Sequence, residues 1–432
     1  MIYLDNAATT ELAPEVIEAM HRAEPIFGNP SSVHSVGNEA HSLLDESRKT
    51  VANFLNCRES EIIFTSGGSE SDNLAIRGIV EENRKPHYAK AARGRQKTEN
   101  SEKTHVITSA IEHHAVLHTI QELEKEGKIE ATYIQPNAEG IISAESVTKA
   151  IKPNTILVSI MYVNNETGTI NPIREIGLAI SNYLSSNCPK QIPNKNQRIF
   201  FHTDAVQAAG YLDMDVKNLG VDLLTFTGHK IHGPKGVGVL FLKKGTPVKS
   251  QITGGGHEGN RRAGTENIVG IAGLAAAVEK VRKPHFAKAT RGRQKTPLRQ
   301  GYEGQAENGK QLAALRDKLE NYFLENVAEA RLNGDKNARI PSVTNVSFKN
   351  AEGESIVLLL DANGICVSSG SACTSQSLAP SHVLTAMGVP VEYTHGSIRF
   401  SLSESTTEAD IDKVIEVLPP IIERLRQMSP LQ

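Results

Sequence analysis

The sequence predicts an α/β protein of two units, and three observations carry that prediction. Short apolar runs recur between Ile62 and Phe241, each followed by a stretch with helical spacing, the pattern of a mostly parallel sheet covered on both faces. With 432 residues, the chain exceeds what one compact core commonly organises. Beyond Thr265 the alternation restarts on a smaller scale, behind a helix of small residues around Ala275.

After a short extended start, residues 14–54 have the mixed polar and apolar spacing of helices, interrupted by the turn-rich Phe27-Gly28-Asn29-Pro30-Ser31-Ser32. Residues 62–65 read as a strand that runs into Ser66-Gly67-Gly68-Ser69 and then a helix from about Glu70. Further strands are predicted at 106–108, 156–160, 198–202, 223–226 and 237–241. The large unit is placed at 13–264. The smaller α/β unit is placed at 265–432, with strands at 344–348 and 397–402 and with residues 1–12 packing back onto it.

Hydrophobic residues at 39% and charged residues at 22% are the balance of a globular chain, not a disordered one. A formal charge of -2 supplies no net field toward nucleic acid or an anionic membrane, so neither is expected as a direct partner. No apolar run is long enough to cross a bilayer, and MIYLDNAATT lacks the layout of a secretory signal, so the cytoplasm is the expected compartment. The four cysteines, Cys57, Cys188, Cys366 and Cys373, contain no CxxC pair, which points away from a disulfide framework or a zinc knuckle.

Residues 84–98 (RKPHYAKAARGRQKT) and 282–296 (RKPHFAKATRGRQKT) differ at two positions of fifteen, while their flanks do not match. This is one short basic element inserted twice, not a duplicated domain, and the inserts are placed at 84–105 and 282–305. Their low apolar content predicts surface loops. Tolerated insertion is the plain reading, and a basic docking site the sharper one. Residues 185–197 read as a third extension, with Cys188 incidental to it.

Three strand ends carry chemistry. Gly67, Gly68 and Ser69 lie where backbone N–H groups and a hydroxyl face the positive end of a helix, which suits a phosphate. The turn lacks a Walker lysine and the spacing of a dinucleotide fingerprint. In His202-Thr203-Asp204-Ala205-Val206-Gln207 a strand end presents a carboxylate and then an amide, suited to a protonated pyridine nitrogen. In Thr227-Gly228-His229-Lys230 a strand delivers a lysine into a Gly-rich turn, where such a side chain can lose its proton and act as a nucleophile. Singly, Asp204 is a helix cap and Lys230 a surface charge; together they fit a pyridoxal-phosphate (PLP) site.

These motifs resemble the cysteine desulfurases, a group within the class V aminotransferase family of fold type I PLP enzymes. The resemblance runs from YLDNAATT at Tyr3 through GNPSSVHSVG at Gly28, FTSGGSESDNLAI at Phe64, SAIEHHAVL at Ser109 and NNETGTI at Asn164. It continues through HTDAVQAAG at His202, TGHKIHGPKGVG at Thr227, GGGHEGNRRAGTEN at Gly254 and VSSGSACTSQSLAPSHVL at Val367 to HGSIRFSL at His395. It implies the PLP-dependent transferase fold type I: a large domain on a mostly parallel seven-stranded sheet plus a smaller α/β domain. It also implies that Lys230 binds the cofactor covalently and moves the Cα proton, His113 stacks on the ring, Asp204 pairs with the ring nitrogen and Gln207 bonds the phenolic oxygen. Asn165 would contact cofactor or substrate, and Gly68, Ser69, Thr227 and His229 the phosphate. Thr265 from a partner subunit completes that cup in the family, which implies a homodimer. Arg399 would clamp the carboxylate of L-cysteine, a geometry that lysine could not reproduce.

Cys373 separates desulfuration from transamination in this resemblance, as the thiol that takes the substrate sulfur as a persulfide. His113 is the candidate acid or base for the thiol proton. The neighbours of Cys373, Ser368-Ser369-Gly370-Ser371-Ala372 and Thr374-Ser375, are too small and polar for a core. Cys366, between Ile365 and Val367, and Cys57, at a predicted helix end, read as structural. The long loop after Cys373 resembles that of the subgroup with an extended cysteine loop, and this resemblance implies an acceptor such as an iron–sulfur scaffold or a sulfur carrier for tRNA thiolation. No resident metal is expected, Cys373 being at most a transient ligand to a cluster. The rivals are another fold type I enzyme, an aminotransferase or selenocysteine lyase, which would need no Cys373, and a non-catalytic scaffold.

Overall fold

The structure, a computed structural model, describes residues 1–83, 103–187, 198–285, 307–370 and 380–428. The strands are β1 (Ile2–Tyr3), β2 (Ile62–Thr65), β3 (Thr104–Ser109), β4 (Ile129–Ile134), β5 (Thr155–Ser159), β6 (Phe200–Asp204) and β7 (Leu223–Thr227). They continue as β8 (Gly238–Leu242), β9 (Ala330–Asn333), β10 (Val343–Phe348), β11 (Ile365–Cys366), β12 (Ser368–Ser369) and β13 (Ser397–Ser401). The large sheet has seven strands in the order β2-β8-β7-β6-β5-β3-β4. Strand β8 runs antiparallel to both its neighbours and the rest are parallel.

Every residue of β5, β6, β7 and β8 is buried, because helices cover both faces. Successive strand residues point to opposite sides. Val106, Leu157 and Leu223 join helices Gly68–Asn83 and His114–Lys125 in one core. Ile107, Val158 and Leu224 join helices Ser35–Phe54 and Ile173–Asn187 in the other.

The second unit is an antiparallel sheet, β12-β13-β10-β9, over a core of Leu319, Phe323, Phe348, Phe400, Val414 and Leu418. The chain start adds to it: β1 pairs in parallel with β11, and Leu4 enters that core. Helix Ile268–His285 follows the expected boundary at 264/265. Its Ile271, Leu274, Ala277 and Val278 are buried in the large unit's core, and it lies against helices Pro14–Ala23 and Ser35–Phe54, so residues 268–285 pack with the large unit. The basic inserts fall outside the described residues except at 103–105 and 282–285, where the first leads into β3 and the second finishes that helix.

The segment before Thr265 is anchored to β2 by Glu258, which holds a left-handed φ of 47°. Its carboxylate accepts from Arg48 Nη1 and Nη2 at 2.9 and 2.8 Å and from the Phe64 N–H at 3.0 Å. A bidentate pair of this kind fixes direction as well as distance.

Candidate active site

The carboxyl ends of β2, β3, β5, β6 and β7 open into one cavity of about 500 Å³, where open α/β sheets place their ligands. Gly68, Ser69, His113, Asn165, Asp204, Gln207, Thr227, His229, Lys230 and Arg399 all line it. Two sequence-predicted residues do not join them in the described structure. Thr265 is exposed and lines no part of the cavity. Cys373 lies outside the described residues, but Gly370 and Pro380, on either side of the undescribed stretch, both line the cavity.

Lys230 stands on a short turn after β7, and its Nζ donates to the carbonyls of Ala7 and Ala8 at 2.5 and 2.7 Å. Residues from the chain start thus aim a side chain of the large unit. Gln207 reaches the same strand of chain, donating to the Ala7 carbonyl at 2.9 Å. Asp204 ends β6, accepts from the Val206 N–H at 2.9 Å, and is pushed up to about 6 by burial, against the lowering effect of that bond and of Lys230. His113 caps helix His114–Lys125, its Nδ1 accepting from the Ala115 N–H at 3.1 Å. Burial and then Lys230 depress its pKa to about 4, so the ring is neutral near pH 7, with its hydrogen on Nε2.

Gly68, also on the cavity wall, opens helix Gly68–Asn83. A Cβ there would come to 3.0 Å from Val206 Cγ2, so the backbone approaches the site as only glycine allows without a shift. The Thr227 hydroxyl donates to the Val237 carbonyl at 2.9 Å and must turn to donate to a ligand. His229, near Thr9 at 3.3 Å, is lowered to about 4 by burial and Lys230. Arg399 on β13 is 4% exposed; Nη1 donates to the Asn165 carbonyl at 2.9 Å and Nη2 to Asp5 at 2.8 Å. Its Nε is buried without a hydrogen-bond partner, a cost that an arriving carboxylate would offset.

Sequence reasoning missed a layer of buried acids around this site. Asp72, 1% exposed, lines the cavity; its Oδ1 makes no hydrogen bond and lies 3.6 Å from His202 Nε2, and one oxygen each of Asp72 and Asp204 lies within 4.8 Å of a ring nitrogen of His113 and of one another. Burial and the neighbouring Asp204 hold Asp72 well above the usual carboxylate range. Glu166 is pushed up to about 7 by burial and accepts from the Ser381 hydroxyl at 2.5 Å. The available signal was a charged residue on the inner stripe of a helix: Asp72 stands among Ser71, Ala75, Ile76 and Ile79, all buried.

Glu112 belongs to the same layer. It accepts from the Ser109 hydroxyl at 2.5 Å and the Met161 N–H at 3.0 Å, and burial pushes it from 4.5 up to about 8. A pKa raised on folding stabilises the fold below the unfolded value and loses that contribution as pH climbs through the folded one. Glu112→Gln cannot titrate, so its melting temperature is expected to fall less than the wild type's between pH 5 and pH 9. Thermal unfolding at the two pH values checks this; parallel losses would show that Glu112 is ionised throughout.

The chain belongs to the aminotransferase class-V family, which it matches over residues 2–414. Enzymes of this family depend on PLP, and the residues here fit the group: a lysine and a buried aspartate face one cavity, and a helix start at Gly68 lines it too. Among curated relatives, the chain is 45% identical to the cysteine desulfurase IscS of Methanosarcina thermophila, over 100% of this chain and 94% of that one. It is 43% identical to a cysteine desulfurase of Trichormus azollae, over 100% and 95%. A solved NifS-like protein superposes with a TM-score of 0.78 at 32% identity, covering 99% of this chain and 98% of the other. SspA solved in complex with cysteine gives 0.73 at 33%, covering 94% and 100%. No described helix is long and apolar enough to cross a membrane.

Proposed function

We infer that this protein is a PLP-dependent cysteine desulfurase, converting L-cysteine to L-alanine and passing the sulfur to Cys373 as a persulfide. The observation that carries this reading is the convergence of Lys230, Asp204 and Arg399 on one cavity, with both flanks of the Cys373 stretch opening onto it. Bound PLP supplies an electron sink for the charge that develops beside the substrate amine. The Asp204 carboxylate holds the ring nitrogen's proton, Gly68 and Ser69 hold the phosphate, and Lys230 anchors the group and moves the Cα proton. Arg399, already oriented by Asp5 and Asn165, takes the substrate carboxylate. His113 is set to donate from Nε2; to accept a thiol proton at Nδ1 it would first have to release its cap to Ala115.

A homodimer is part of this reading, with the partner subunit's Thr265 completing the phosphate cup. The persulfide then passes to an iron–sulfur scaffold or sulfur-carrier protein in the cytoplasm. The test is mass spectrometry of the PLP-loaded protein after exposure to L-cysteine, with alanine assayed in parallel. One added sulfur atom on the Cys373 peptide and release of alanine are expected. Amino-group transfer to a keto acid with unmodified Cys373 would favour an aminotransferase instead.

A further inference from the structure

His113 and His382 line the same cavity with opposite hydrogen-bonding states. In His113 the Nδ1 lone pair is spent on the Ala115 N–H, which leaves Nε2 as a donor. In His382 the Nε2 edge faces the Glu112 carbonyl at 2.9 Å, and a carbonyl only accepts, so Nε2 carries the hydrogen. Nδ1 of the neutral ring is therefore the accepting nitrogen, and no hydrogen bond from a described residue engages it. The ring is held in place from three sides. Ser381 caps its helix and is tied to Glu166 at 2.5 Å, Glu112 holds Nε2, and the His114 ring lies 4.8 Å away, centroid to centroid.

We propose that His382 accepts the proton of the substrate thiol at Nδ1 and returns it to the β-carbon of the departing alanine. This rests on the desulfurase reading above. The thiol S–H bond breaks and an Nδ1–H bond forms. As a thiolate acceptor bonds to the sulfur, the carbon–sulfur bond breaks in the same displacement with its electron pair going to carbon, and the imidazolium proton then satisfies that carbon. No oxidant or reductant enters, and the histidine ends as it began. His382 alone carries this proton, since the Nδ1 of His113 is engaged by the Ala115 N–H.

The charged and titratable groups around His382 favour a neutral ring before the proton arrives. His113, His114 and His118 face it from one helix and its cap, the Glu112 backbone carbonyl bonds its Nε2, Glu166 accepts from the adjoining Ser381 hydroxyl, and Arg399 lines the same cavity. Burial and then His118 hold it below the usual histidine value, against the pull of the Glu112 carbonyl.

The test compares L-cysteine with β-chloroalanine, whose leaving group bears no proton. His382→Gln keeps an amide able to donate to Glu112 but offers no basic nitrogen. Its kcat for alanine from cysteine is expected to fall by about 100-fold or more, within the range for a lost general base. Turnover of β-chloroalanine should stay within about twofold, and the acid limb of the cysteine pH–rate profile should disappear. PLP absorbance and spectral titration with cysteine report that the site is intact; were the glutamine variant not to load PLP, His382→Asn takes its place. Equal loss on both substrates, or no loss on cysteine, would overturn the proposal. A wild-type protein that releases no alanine from cysteine would instead overturn the desulfurase reading itself.

Discussion

Lys230→Ala is expected to lower alanine formation from cysteine by at least about 1000-fold, the scale of a lost proton-transfer group that also serves as covalent anchor. The turn after β7 gives Lys230 little freedom, and the Ala7 and Ala8 carbonyls hold its Nζ at 2.5 and 2.7 Å, within the cavity that also contains Asp204 and His113. Its charge is felt by those neighbours: it lowers Asp204, His113 and His229 alike. The alanine variant should still bind PLP through Asp204 and the helix start at Gly68. After borohydride reduction, the wild type should carry PLP on the Lys230 peptide and the variant on none. Partial recovery of turnover by added methylamine would separate lost chemistry from lost structure. A variant within tenfold of the wild type would mean that another group does the work assigned to Lys230.

The parts of this fold that could be read from the sequence are those whose burial is uniform. Strands β5 to β8 are buried throughout, so they appear as apolar runs that need no partner to be recognised. Strand β4, at the sheet edge, mixes buried Ile129 and Ile134 with exposed Glu130, and no apolar run marks it. The packing of the helix that follows Thr265 was not legible for a related reason. Small residues in helix Ile268–His285 signal close packing but do not say against which core, and the answer, helices Pro14–Ala23 and Ser35–Phe54, lies far off in sequence. At the site, residues in motifs at strand ends could be found one by one. The Ala7 and Ala8 carbonyls could not, since backbone acceptors leave no trace in residue type. Nor could the pairing of Asp72 with Asp204, which depends on a helix and a strand meeting across the cavity floor.

Cys373→Ala should leave PLP loading and the spectral response to L-cysteine unchanged while removing sulfur transfer, with alanine formation down on the order of 1000-fold or more. The reason lies partly in the other thiols. Only a thiolate is a competent nucleophile toward sulfur. Burial pushes Cys57 up to about 12, and Cys366 is raised by burial and by Asp361, whose carboxylate lies 3.8 Å from its sulfur. Neither lines the cavity. Gly370 and Pro380, on either side of the stretch that holds Cys373, both line it. Cys373→Ser sharpens the test, because it keeps the size and hydrogen bonding of the side chain and removes only its nucleophilic sulfur. If pyruvate, ammonia and sulfide formed from cysteine in the serine variant at rates near the wild type's turnover, the sulfur would leave by elimination without a protein acceptor, and the cavity would be that of a lyase.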